Sequence, residues 1–212
     1  MIANFRIGIK FRGERMSKSA ASLKKRLLAL LVDILLIIVY VIGLLGVTQL
    51  LYHIFLDGPP AMGRLGEELI AFSTLLSPVF LYFVITEYGK ARATFGKRMM
   101  HIHIDSIGNL PLTLTQVILK NIIKLLPWQM AHTFIFTGFH NDWNIPVFAF
   151  VLFMVIIYGL PILSIFIICI RNDHCSIHDL IANTIVLEGD YDTTYDRHKD
   201  CQDDENNNIF FG

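Results

Sequence analysis

The chain has 212 residues, no net formal charge, 54% apolar and 17% charged residues, and a mean hydropathy of +0.54. A soluble domain carries about a quarter charged residues, so an ordinary soluble domain is excluded and a membrane protein is indicated. The zero charge balance gives no sign of a nucleic-acid partner, and the three cysteines, Cys169, Cys175 and Cys201, fit no disulfide framework.

Residues 1–21 form a basic N-terminal segment. With Lys24, Lys25 and Arg26 the N-terminal flank holds eight basic residues against one acid, Glu14. Met16 opens a stretch with the character of a normal start, which leaves open whether residues 1–15 belong to the protein. From Leu27 to Leu56 the chain is almost continuously apolar, too long for a signal-peptide core, and no small-residue cleavage site follows. A span needs about 20 such residues, so a first transmembrane helix is expected at about 26–50, ended by Asp57-Gly58-Pro59-Pro60. A second is expected at 69–86, with Pro78 inside it. The segment from Lys90 to Leu114 is basic, and Met100 to Ile104 alternates in the period of a half-exposed strand.

Residues 115–138 are apolar but interrupted by Lys120, Asn121, Lys124, Pro127, Gln129 and His132. They can cross the membrane or lie at its interface, and crossing is favoured. Residues 145–170 carry no charge and form the clearest span. A helical turn follows, then a short strand at 183–187, then an acidic tail over 189–212 whose composition predicts disorder. The expected fold is therefore all-α: four transmembrane helices in a domain spanning 22–188, with a small cytoplasmic cap of β-strands. Basic residues crowd the N-terminal flank and residues 87–114, whereas the loop at 139–144 has none. The bias toward positive charge inside places both termini in the cytoplasm.

A charged residue within a span costs at least about 2.5 kcal/mol on insertion scales, so Asp33 needs a reason. Arg26, Asp33 and Tyr40 recur every seven residues on one stripe, with Asp33 about 10 Å deeper than Arg26. Asn121, Lys124, Trp128 and His132 share one face of the third helix. The expectation is an ion pair between Asp33 and Lys124 or Lys120. Such a pair suits either an ion or proton relay continued by Gln129 and His132, or a purely structural lock on helix register. Asp173, His174, Cys175, His178 and Asp179, with His101 and His103 within reach through paired strands, are metal-ligand types. Their spacing matches no standard zinc pattern, and a capped helix start at Ser176 or Asp173 explains them better. No metal and no cofactor is expected. No nucleophile and base stand together, so enzymatic activity is not expected.

Three motifs resemble the RDD family of bacterial membrane proteins. They are Arg26-Leu-Leu-Ala-Leu-Leu-Val-Asp33, then Thr94-Phe-Gly96-Lys97-Arg98 running to Asp105 and followed by a Gly108 turn, Gln116 and Lys120-Asn121, and finally His178-Asp179 running to Asn183-Thr184. Asn183 stands where relatives often have glycine, and Lys120 where they often have arginine. The resemblance implies a multi-pass protein of the bacterial plasma membrane. It also implies a function in one of two directions: exchange of sodium or potassium for protons, or sensing and support of other membrane proteins. The expected partners are the lipid bilayer, further copies of the chain in a homo-oligomer and, for a transporter, monovalent cations and protons.

Overall fold

The computed structural model describes residues 19–55, 60, 62–107, 111–171 and 173–191. The N-terminal segment before Ser19, the Gly108 turn and the tail beyond Tyr191 lie outside the described residues. Helix α1 spans Leu23–Phe55, well past both limits expected for it. Helices α2 (Arg64–Ala71) and α3 (Ser77–Tyr88) form one continuous rod through a π-helical turn at Phe72–Leu76. The short helix α4 (Phe95–Met99) and strand β1 (Ile102–Ser106) follow. Helix α5 runs over Leu114–His140, and α6 (Val147–Met154) joins α7 (Leu160–Ile170) through a second π turn at Val155–Gly159. Helix α8 (Ile177–Ile181) and strand β2 (Thr184–Glu188) are the last elements among the described residues.

Three of these rods, Leu23–Phe55, Arg64–Tyr88 and Val147–Ile170, are long and apolar enough to cross a bilayer. Their surfaces agree, because Val39, Ile42, Phe55, Leu69, Val147, Phe148 and Ile162 are all exposed. In water such a surface would be untenable, whereas lipid solvates it. Each π turn ends two residues before a proline, Pro78 or Pro161. Proline lacks an N–H and its ring crowds the carbonyl four residues back, and the widened turn relieves that crowding. The carbonyl left without its helical donor by Pro78 is that of Thr74, and it accepts the hydroxyl of Tyr40 from α1.

Helix α5 runs the length of the molecule. At one end Thr113 and Gln116 form a capping box, and the Gln116 amide donates to Ser106 Oγ at 3.1 Å and to the Asn183 carbonyl at 3.2 Å. At the other end His140 Nε2 lies 3.0 Å from Glu67 Oε2 in the first turn of α2. Strands β1 and β2 pair antiparallel, Ile104 opposite Val186, one or two residues later in sequence than expected at both strands. Ala20 bridges to Leu187. The sheet thus gathers the start of α1, the α3–α5 connection and the segment after α7 at one end of the bundle. Its apolar face seals a core of Ala21, Ala29, Val84, Ile102, Ile104, Leu112, Val117 and Val186. A second cluster, Ile37, Leu76, Val79, Phe83 and Leu125, packs α1, α3 and α5 farther from the sheet.

Candidate functional site: the polar centre beneath the sheet

Asp33 is buried at 2% exposure, yet it pairs with neither Lys120 nor Lys124. That expectation is overturned. Tyr82 OH donates to its Oδ1 at 2.8 Å, the Gly96 N–H to the same oxygen at 2.9 Å, and Thr94 Oγ1 to its Oδ2 at 2.6 Å. The reason is local. Thr94 caps α4, accepting the Lys97 N–H, and the first free N–H groups of α4 point at α1. A carboxylate at a helix start satisfies those donors and the positive end of the helix at once. Tyr82 completes the knot by accepting the Phe95 N–H at 3.1 Å. Gly96 permits it: a Cβ there would lie 2.1 Å from the Ala29 carbonyl oxygen.

Lys120 instead meets Asp179, with Nζ 3.0 Å from Oδ1 and both side chains 1% exposed. Arg26 binds the other oxygen of Asp179 at 3.0 Å through one guanidinium nitrogen, and its remaining nitrogens donate to the carbonyls of Ala21 and Val186. Asp179 also accepts from Ser176 Oγ at 2.7 Å as part of the α8 capping box. Burial alone would raise its carboxyl, but Lys120 and Arg26 outweigh burial and hold it well below the usual carboxylate range. Thr184 Oγ1 lies 3.4 Å from Asp179 Oδ1, which joins the third motif to itself. Beside them burial pushes the His178 imidazole down to about 4, so it is neutral at physiological pH.

A second group forms around Glu87, fully buried in the last turn of α3. Lys97 Nζ lies 2.6 Å from one of its oxygens, and Asn121 Nδ2 donates to the other at 2.9 Å. Lys124 sits with Nζ 3.5 Å from the centroid of the Phe83 ring. Among the described residues no carboxylate lies within ion-pair distance of Lys124. Lys120, Asn121 and Lys124 are therefore brought together. His132 lies about two turns beyond Lys124 along α5, and its Nδ1 is buried without a partner. Arg98 is exposed and donates to the Ala93 carbonyl at 3.3 Å.

The metal-ligand types are dispersed. Asp173 is bound by Arg171, His174 Nδ1 lies 3.0 Å from the Ile168 carbonyl, and His101 and His103 meet Asp190 and the Gly189 carbonyl. Among the described residues no three of these side chains converge on a metal position. Sequence reasoning gave Glu87 and Tyr82 no role in the site and named Thr94 only as part of a family motif. The available signal for Glu87 was a single acid closing a span just before a basic segment.

All three motifs meet here: the arginine and aspartate of α1, the start of α4, and the aspartate of α8. The model of the RDD family matches residues 20–183. The chain belongs to the RDD family. Neither the curated proteins nor the solved structures yield a match. The two departures from the family pattern have visible consequences. Asn183 takes φ of +52°, a left-handed conformation that asparagine tolerates. Lys120 offers Asp179 a point charge where arginine would offer a fork.

Proposed function

We propose that this RDD protein is a four-span protein of the bacterial plasma membrane, with both termini cytoplasmic, that exchanges protons for monovalent cations as a homo-oligomer. One observation carries the reading: α5 bears polar contacts at successive levels from the sheet to the opposite end. Lys120 meets Asp179, Asn121 meets Glu87, Gln129 donates to Thr133, Thr133 donates to Glu68, and His140 meets Glu67. Buried polar atoms at Asn121 Oδ1, Gln129 Oε1 and His132 Nδ1 punctuate the same helix without partners. Unsatisfied polar groups in a membrane interior are costly and mark ion paths. Crossing by α5 is supported by its contacts at both ends of the bundle. The exposed faces of α1 and α7 leave room for a second copy to complete a wall. The exchanging carboxylate in this reading is Glu87, whose partners are the side chains of Lys97 and Asn121, rather than Asp33, which accepts a backbone N–H of the α4 start.

The test is proton flux in proteoliposomes with sodium, potassium and lithium in turn. Wild type is expected to show cation-dependent flux, and Glu87→Gln to insert, fold and lose it. Absence of flux from folded wild type sinks the transport reading. The second reading then stands: a membrane scaffold or sensor acting through its cytoplasmic cap. Its support is the mutual saturation of the Arg26–Asp179 and Asp33–Gly96 contacts, which build a rigid platform.

A further inference from the structure

Between the α2–α3 rod and α5, at the level of the first π turn, lies a cavity of about 330 Å³. Each wall carries a proline there, Pro78 after the turn and Pro127 inside α5, and proline bends a helix away from straight packing. The volume falls at the lower end of the roughly 300–1,000 Å³ typical of small-molecule sites. Leu76 and Leu125, both buried, floor the cavity, while Phe72, Ile122 and Leu126, all exposed, stand at its rim. It therefore opens sideways into the bilayer. Two polar side chains interrupt the apolar lining, Ser77 from one wall and Gln129 from the other. Gln129 belongs to a directed chain: its Nε2 donates to Thr133 Oγ1 at 3.3 Å, and that hydroxyl donates to Glu68. The chain ends on a carboxylate, but its head is open, because Gln129 Oε1 is buried and accepts from no group among the described residues. An unmet acceptor in an apolar interior is costly, and linked hydrogen bonds polarise one another.

We infer that this cavity binds the hydroquinone ring of a membrane-soluble quinol, with one ring hydroxyl donating to Gln129 Oε1. The open head of the chain asks for a donor, and the acyl chains and esters of a phospholipid have none. Depth removes the donors of lipid headgroups: Gln129 lies near the middle of Leu114–His140, roughly 20 Å from either end at the helical rise, inside the hydrocarbon layer. A molecule that carries a hydroxyl to that depth has to be apolar elsewhere. Phe72 and Phe80 in the lining suit an aromatic body. Ser77 offers the second ring hydroxyl a partner that can accept or donate. The cavity and its unmet acceptor exist whether or not the chain moves cations, so the site is independent of the transport reading.

The experiment is thermal unfolding in a neutral detergent with added decylhydroquinone kept reduced by ascorbate, its dimethyl ether, or dodecane. The ether keeps the ring and tail but removes both donors. Wild type is expected to gain several degrees with the hydroquinone, saturating with concentration, and little with the ether or dodecane. Gln129→Met keeps the bulk and removes the acceptor, so it should lose the advantage of hydroquinone over ether. Ile122→Phe narrows the rim at an exposed position and should diminish the hydroquinone gain. Equal gains from hydroquinone and ether in wild type would assign the cavity to an apolar chain and overturn the proposal. No gain with any of the three, or an undiminished hydroquinone advantage in Gln129→Met, overturns it too. Should Gln129→Met fail to fold, Ile122→Phe decides, and an undiminished gain there sinks the site.

Discussion

Asp33 of α1 accepts the backbone N–H of Gly96 in α4 at 2.9 Å, across 63 residues of chain. The hydrogen bonds to its carboxylate from Tyr82, Thr94 and Gly96 all come from donors, and the glycine that supplies one of them lies against the α1 backbone. Asp33→Asn would turn one acceptor into a donor facing donors, and should cost about 2–3 kcal/mol. Gly96→Ala should cost at least as much, because the obstacle is the Ala29 carbonyl, which cannot rotate away. Both are measured as lowered melting temperatures in detergent. Near-wild-type stability of Gly96→Ala would show that α4 does not dock on α1 as described.

Asp179 is shared by Arg26 and Lys120. Asp179→Asn strands two buried cations and should destabilise by about 3–5 kcal/mol. Adding Lys120→Met removes one of them, so the double variant should be more stable than Asp179→Asn alone. Simple additivity in that double-mutant cycle would contradict direct coupling.

His178 predicts a pH dependence. Burial lowers its pKa from 6.5 to about 4 in the folded protein. The unfolded chain therefore binds the extra proton first as pH falls. The stability due to the neutral imidazole is complete above about 6.5 and is lost between 6.5 and 4, by up to about 3 kcal/mol. Comparing the unfolding of wild type and His178→Asn across this window isolates the contribution. Asp173 and Asp179 titrate below their ordinary value of 3.8, beneath the window. Equal slopes for the two proteins would refute the assignment.

Cys175 is fully buried, and burial pushes its thiol up to about 12. In a Cys169→Ser, Cys201→Ser background it should resist maleimide in the folded protein and react after denaturation in strong detergent. Rapid labelling of the folded protein would mean that the α8 cap opens readily.

Much of this architecture was legible because lipid imposes a coarse rule: a span must be apolar and about 20 residues long. The positions of α1, the α2–α3 rod and the α6–α7 rod follow from that alone. The two strands were legible from alternation in one case and a short β-branched run in the other, with their register displaced by a residue or two. Helix ends were less so, since α1 continues to Phe55 and the second rod begins at Arg64, where amphipathic turns extend beyond the apolar stretch.

Partner choice within the polar centre was not legible. Periodicity along α1 correctly put Arg26, Asp33 and Tyr40 on an inward stripe, and periodicity along α5 put Asn121 and Lys124 on one face. Neither period says what lies opposite. Asp33 could have met a lysine on α5, and by charge alone that is the natural choice. The packing of α4 placed N–H donors there first, and the fold of the sheet carried Asp179 over to Lys120. Sequence determined that this chain is a membrane protein with ionisable groups that must be compensated. Tertiary structure decided which group compensates which, because that depends on distances between segments as far apart as Arg26 and Asp179, 153 residues along the chain, and the local pattern of no single helix encodes those distances.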